Sequence, residues 1–337
     1  MQDTILPTRM QRIEITTYGG PEVLQQRDGP VPVPSPDELL IRVQAAGVNR
    51  PDVMQRTGTY PMPPGVTPIP GLEVAGRVVA VGERVTGFRM GDLVCGLTEG
   101  GGYAEYCVVP ATQALPVPSN VDAVTAAAIP ETFFTVWANV FQRGLIASGS
   151  TLLVHGGTSG IGSTTLMLAR EFGIRTIATD AGTDKLAAAL RFGAQEVIDY
   201  AECDFVEVAR EWTSGRGVDA ILDIVGGAYF ERNVAALAKD GRLLLIGFLG
   251  GEVAESVNLL TLAVKRLTVT GSTLRARSVD EKAEIARDLQ AKVWPLLAAG
   301  RCLPTVHAEF PLECAADAHR MMESGSHIGK IVLRVAV

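Results

Sequence analysis

The sequence has few of the residues from which metal centres and disulfide frameworks are built. Among 337 residues there are five cysteines, Cys95, Cys107, Cys203, Cys302 and Cys314. None forms a C-x-x-C pair and the count is odd, which argues against a disulfide scaffold and a structural zinc lobe. The four histidines, His155, His307, His319 and His327, show no ligand spacing either. No apolar run reaches the length of a membrane-spanning helix, and no signal-peptide core is present. The opening MQDTILPTR reads as a short leader or a non-native remnant. Strong positive charge is also lacking: 30 basic against 37 acidic residues give a net charge of −7, which argues against nucleic acid as the main ligand. Repeats and low-complexity tracts are absent. The default reading is a cytoplasmic protein with no membrane partner.

What is present is a folded globular composition, 47% hydrophobic and 20% charged. The chain is organised around TLLVHGGTSGIG, Thr151 to Gly162. Thr151 to Val154 is a β-rich apolar run, and Ile161, Leu166, Leu168 and Phe172 supply an apolar set on a helix-compatible segment. Strand, glycine turn and helix open a dinucleotide-binding βαβ unit. A pyrophosphate reaches the N–H groups of a helix start only where no Cβ intervenes. On this reading Gly157 makes the tight turn, Gly160 allows close approach and Gly162 lets the helix lie on the strand. Thr158, Ser159 and Ile161 complete the cofactor-binding loop. Ser159 breaks the strict G-x-G-x-x-G spacing, so a plain glycine-rich loop would read the same. About twenty residues on, the strand Ile174 to Thr179 ends in Asp180, where a carboxylate can take ribose hydroxyls.

Residues 10 to about 130 read as short strands separated by Gly and Pro turns, a small barrel-like β domain. Strands are expected at Arg12–Tyr18, Glu38–Val43, Leu72–Val81, Arg89–Val94 and Tyr103–Val109, with one helical turn at Asp52–Arg56. Gly58 to Gly71 holds five prolines and three glycines, an ordered loop or a lid. Ala123–Ile129 and Thr132–Arg143 read as helical. From 151 to about 273, six strands alternate with helices, as in a doubly wound parallel sheet. An amphipathic helix, Val279 to Ala299, is interrupted by Pro295. The tail returns to strand, helix and strand, and is expected to rejoin the first domain.

Several long strings then carry a resemblance: YGGPEVL, GVNRPDVMQRTGTYPMPPG, PGLEVAGRVVAVG, IPETFFTVW, VHGGTSGIG, VGG at 225–227, GSTLRARS and HIGKIVL. From Met10 on, the chain resembles the zinc-free quinone oxidoreductase branch of the medium-chain dehydrogenase/reductase superfamily. Within it, the chain looks most like the NAD(P)H quinone oxidoreductases of the p53-induced-protein type. The resemblance implies an α/β, bilobal fold. A GroES-like catalytic domain, residues 10–132 completed by 274–337, joins a Rossmann domain, residues 133–273, with the active site in the cleft between them. Zinc-dependent relatives carry a Cys and a His where this chain reads Gly47-Val48-Asn49 and Gly71-Leu72-Glu73. Asn49 and Leu72 cannot replace those ligands, and Glu73 could not hold zinc alone, so no metal is expected.

Without a metal, the expected chemistry is hydride transfer from NAD(P)H to an acceptor that is already electrophilic, a quinone or a conjugated carbonyl. The resemblance places Thr135 behind the nicotinamide, Gly247, Phe248 and Leu249 beside it, and Leu274 and Arg275 at the same end. Asn49 and Tyr60 face the acceptor, Tyr60 as a proton donor or relay. Taken alone, Tyr60 could pack its loop, Asn49 could be a turn residue, His155 a packing residue, and Arg275 and Arg277 a solvated face. A homodimer through the strand near 267–273 is implied. The competing functions are an enal, enone or enoyl-thioester reductase, and a non-catalytic nucleotide-binding protein. Retention of both Tyr60 and Asn49 speaks for catalysis.

The choice of nicotinamide is contested within the sequence. The resemblance favours NADPH, with Lys185 matching a phosphate-binding lysine and Tyr200 a tyrosine near the adenosine. Asp180, however, stands where relatives carry a small residue, and it favours NADH. At about 4 Å a carboxylate would repel a phosphate charge by roughly 4 kcal/mol at an effective dielectric near 20. Asp180 turned outward would leave Ala181-Gly182-Thr183 as the phosphate pocket.

Overall fold

The computed structural model describes residues 6–60, 62 and 65–336. The first five residues of the leader and Pro61, Pro63 and Pro64 of the proline-rich loop lie outside the described residues. The chain divides into two compact units, residues 1–134 with 275–337, and residues 135–274.

The first unit is built on the strand Glu38–Val48. Its sequence ELLIRVQAAGV is apolar on both faces, and Leu39, Ile41, Val43, Ala45, Ala46 and Val48 are all buried. A strand buried on both faces must also satisfy both of its edges. Glu73–Val81 pairs along one edge, antiparallel. The other edge is shared by Tyr106–Pro110 and the tail strand Lys330–Arg334, both antiparallel. The full order is Val306–Pro311, Lys330–Arg334, Glu38–Val48, Glu73–Val81, Leu93–Leu97, Ala114–Pro116. The tail register sets Ile331 opposite Val48, which brings Lys330 to the turn that begins at Asn49. A hairpin, Arg9–Ile15 with Leu24–Pro30, completes the strands.

Local elements differ from the sequence expectation where capping chemistry intervenes. The turn expected at Asp52–Arg56 is the two-turn helix Arg50–Thr57. The Asp52 carboxylate accepts the Asn49 N–H at 2.8 Å, and Gly58, at φ 76°, ends the helix in the left-handed conformation. The helix expected at Val279–Ala299 is two pieces, Val279–Lys292 and Trp294–Ala298, broken just before Pro295. Ser278 and Glu281 close a capping box at its start.

The second unit is a six-stranded sheet, every pair parallel. The order is Glu196–Asp199, Arg175–Asp180, Thr151–His155, Val218–Asp223, Leu237–Leu245, Thr268–Gly271. Leu153, Ile177, Ile198, Phe205, Ile221 and Leu243 form its core. The order reverses between Thr151–His155 and Val218–Asp223, and ligands of such sheets bind beyond the strand ends at that reversal. The segment expected as one helix, Thr132–Arg143, changes type. Pro130–Val136 is α-helical and Trp137–Arg143 is a π-helix. The Asn139 side-chain amide donates to the Thr135 carbonyl at 2.8 Å, and the Gly144 N–H reaches the Asn139 carbonyl. Among the described residues, no helix is long and apolar enough to cross a membrane.

Candidate functional site

The glycine turn follows the central strand Thr151–His155 at the point of reversal. Its left-handed residue is Gly156, at φ 68°, and not Gly157. Gly157 is needed for space: a Cβ there would stand 2.7 Å from the Ala178 Cβ. A Cβ on Gly162 would stand 2.1 Å from the Gly156 carbonyl oxygen, so only glycine lets the helix Gly160–Glu171 start against the turn. The Ser159 hydroxyl caps that helix, accepting the Gly162 N–H at 2.9 Å. Helix geometry leaves the Gly160 and Ile161 N–H groups pointing out of the first turn, a cradle for an anion.

Asp180 is turned inward, not outward. It is 4% exposed. One carboxylate oxygen accepts the Thr158 N–H at 2.9 Å and the Thr158 hydroxyl at 2.5 Å. The other accepts the Ala181 N–H at 3.1 Å and pairs with Lys185 at 3.6 Å. Thr158 therefore spends both donors on Asp180. The same inward turn leaves Ala181, Gly182 and Thr183 at the strand end with Asp180 folded beneath them. The Gly182 N–H bonds Asp199 at 3.0 Å, and Tyr200 lies nearby, half exposed.

One more loop edges the same strand ends. Gly247, Phe248 and Leu249 follow the strand Leu237–Leu245, and the Leu249 N–H bonds the Ile224 carbonyl at 3.1 Å. Phe248 and Leu249 are 49% and 58% exposed, apolar surface left open beside a strand end. Thr135 is buried, yet its hydroxyl oxygen has no hydrogen-bond partner among the described residues. A buried hydroxyl without a partner is costly. Bare glycine turn, open N–H groups and an orphan hydroxyl together fit a dinucleotide cofactor.

His155, next to the glycine turn, is a packing residue. It is 1% exposed, between the rings of Phe205 and Tyr229. Its Nδ1 meets the Thr179 hydroxyl at 2.9 Å and its Nε2 the Asn233 side-chain oxygen at 2.8 Å. Asn233 donates its own N–H to Asp223 at 3.0 Å, so His155 must donate from Nε2. Burial lowers the imidazole to about 4, and pushes the Asp223 carboxyl up to about 6.

In the first unit, Asn49 and Tyr60 stand in different settings. Tyr60 is half-buried, with the Arg275 guanidinium 5.4 Å from its ring centroid. Burial raises its phenol above the ordinary value, opposed by Arg275. Arg275 is not a solvated face. It is 6% exposed, donating to the Gln55 side chain at 3.1 Å and to the Glu99 carbonyl. Lys282 holds Glu99 at 2.7 Å and the Arg275 carbonyl at 3.1 Å. Leu274 is half-buried at the start of this segment.

Asn49 belongs to a buried triad that sequence reasoning missed. Its amide N–H donates to Glu73 Oε1 at 2.8 Å, and the Lys330 ammonium donates to its oxygen. Lys330 also donates to Glu73 Oε1 at 2.7 Å and to the Val48 carbonyl at 3.3 Å. Glu73 Oε2 accepts the Glu131 N–H at 2.9 Å. A Cβ on Gly47 would stand 2.0 Å from Glu73 Oε1, so Gly47 makes room for the carboxylate. The available signal was an isolated lysine in the apolar run IGKIVLRV. Leu72, the other position compared with zinc ligands, is buried and apolar. An ammonium seated on the carboxylate and the amide does not fit a metal site, since Lys330 takes the place and charge of a cation. Among the described residues, no three His, Cys, Asp or Glu side chains are grouped to hold a metal ion.

Comparison with known proteins decides the family. Residues 35–119 match the alcohol dehydrogenase GroES-like domain, and residues 192–333 match the zinc-binding dehydrogenase family. The rat (Rattus norvegicus) quinone oxidoreductase is 31% identical over 327 residues, covering 96% of this chain and 97% of the relative. The chain belongs to the quinone oxidoreductase family. It is an oxidoreductase of the medium-chain dehydrogenase/reductase superfamily, with the GroES-like and Rossmann architecture. The Escherichia coli quinone oxidoreductase, solved with NADPH, is 31% identical and superposes with a TM-score of 0.86 over 96% of this chain and 99% of that one. The phthioceranic/hydroxyphthioceranic acid synthase of Mycobacterium tuberculosis is 32% identical over 326 residues, which are 96% of this chain and 15% of that much longer protein.

Proposed function

We propose that this protein reduces quinones with NADPH and without a catalytic metal. The observation that carries the reading is the glycine turn at the sheet reversal. There, the Ala178 Cβ leaves no room for a Cβ on Gly157 and the Gly156 carbonyl none for one on Gly162, and the open N–H groups suit a pyrophosphate. The quinone oxidoreductase relatives support the acceptor class, and the Lys330–Glu73–Asn49 triad supports metal independence.

When bound, NADPH supplies the hydride. Gly160 and Ile161 would hold the pyrophosphate, Thr135 would meet the carboxamide, and Phe248 and Leu249 would keep water from the ring. Tyr200 borders the adenosine and Lys185 reaches the 2′-phosphate. With Asp180 committed to Thr158 and Ala181, it offers few acceptor positions to a ribose, and this favours NADPH over NADH. On the acceptor side, the Asn49 amide receives the oxygen on which negative charge develops as the hydride arrives. Tyr60, whose phenol stays protonated at neutral pH, would deliver the proton that completes the hydroquinone.

The test is NADPH oxidation against a panel of ortho- and para-quinones, enals and enoyl thioesters. Quinones are expected to turn over fastest, and Tyr60→Phe to lower their kcat/KM by roughly 5- to 150-fold, one lost hydrogen bond. An unchanged value would make Tyr60 a packing residue. The mycobacterial synthase segment favours a second reading, enoyl-thioester reduction, and the same panel separates the two. We further propose a homodimer through the short edge strand Thr268–Gly271, near which Leu259, Leu260 and Val264 are exposed. Sedimentation equilibrium at twice the chain mass supports it, and a monomer refutes it.

A further inference from the structure

We propose that Lys330 is the positioning residue for the acceptor, fixing and polarising the Asn49 amide from behind. This rests on the role of Asn49 given above. Asn49, Glu73 and Lys330 are 5%, 0% and 3% exposed, so water does not supply their hydrogen bonds. The chemistry of the neighbours allows one amide orientation. An ammonium can only donate, so it takes the Asn49 oxygen; a carboxylate can only accept, so it takes one Nδ2 hydrogen. The reverse orientation would set NH2 against NH3 and oxygen against oxygen. One Nδ2 hydrogen therefore remains, and it is the group left to meet an acceptor.

The triad also sets the strength of that donor. Lys330 spends its three hydrogens on Val48, Asn49 and Glu73, so its charge cannot swing away. Charge at the amide oxygen draws electron density from the nitrogen and strengthens the remaining N–H toward a developing oxyanion. Glu73 is anchored in turn by the Glu131 N–H and fits only because Gly47 lacks a Cβ. The tail strand thus serves the reaction through its first residue, held in register by Ile331 opposite Val48. The ammonium is fixed on the side of the amide that carries the oxygen, between Asn49 and Glu73. It acts through an amide and does not touch the acceptor.

Steady-state kinetics with one para-quinone and NADPH tests this on Lys330→Arg, Lys330→Met, the neutral pair Glu73→Gln with Lys330→Met, and Asn49→Ala. Lys330→Met leaves a buried carboxylate unpaired and could unfold the chain. The neutral pair removes the charge without that burden. The neutral pair is expected to lower kcat by about tenfold or more with KM for NADPH unchanged, and Lys330→Arg to retain part of the loss. Adding Asn49→Ala to the neutral pair is expected to cost less than Asn49→Ala alone, because both act through one amide. If Asn49→Ala lowers kcat but the neutral pair does not, the proposal falls and the role of Asn49 stands. Fully additive losses would also overturn it. If Asn49→Ala leaves kcat unchanged, the acceptor role of Asn49 fails, and this proposal with it.

Discussion

Asp180 shows how the donors around a side chain set its direction. Its position at a strand end invites a ribose-binding reading, but its carboxylate is folded against the turn, accepting from Thr158 and Ala181. The competing donor was two residues before Gly160 in the sequence, and nothing in its spacing told where its hydrogens would go. The consequence is a constraint on Lys185, paired with Asp180 at 3.6 Å. Asp180→Asn keeps an oxygen for Thr158 and removes the charge that draws Lys185 toward Asp180. The ratio of kcat/KM for NADPH over NADH is expected to rise by about tenfold, a fraction of the full Coulomb term. A ratio that stays put would mean that Lys185 never meets the phosphate. Lys330 is the complementary case: a charged residue inside an apolar strand was visible, but its partners Asn49 and Glu73 lie 281 and 257 residues away and only the fold identifies them.

At the scale of elements, the strand–turn–helix at Thr151–Gly162 was legible because glycine patterning and apolar runs are local signals. The six parallel strands followed from alternation. Two features were not legible. The change from α-helix to π-helix after Val136 depends on Asn139, whose amide takes a carbonyl and whose oxygen accepts from Ser272 at 2.7 Å. The left-handed residue fell on Gly156 instead of Gly157, because either glycine could make the turn and packing against Ala178 chose between them. The His155 network joins the ends of three strands to the helix Phe230–Ala236. Its pH behaviour follows from the lowered imidazole. Unfolded histidine binds a proton below about 6.5, whereas the buried ring resists until about 4. Its stabilisation is whole above pH 6.5 and is lost as pH falls toward 4, up to about 3 kcal/mol in all. Asp223 acts oppositely, its contribution being lost as pH rises through about 6. His155→Gln is therefore expected to shrink the drop in Tm between pH 7 and pH 4.5, read by thermal denaturation. An undiminished drop would place the acid sensitivity elsewhere.

For the whole molecule, fold class and family were carried by long strings in order, while the roles of single residues depended on contacts between distant strings. The tail shows why: its strand Lys330–Arg334 completes the sheet begun at Glu38–Val48 and delivers a cation to Asn49. The triad pairs that buried cation with the Glu73 carboxylate. The central claim is hydride transfer from NADPH to a quinone with the triad metal-free. The most direct measurement is NADPH oxidation by a para-quinone after exhaustive dialysis against a chelator, with NADPH and its 4-deuterated form compared. Undiminished turnover, slowed by deuterium, is the predicted result. Turnover abolished by the chelator and restored by zinc, or no oxidation of NADPH at all, would contradict it.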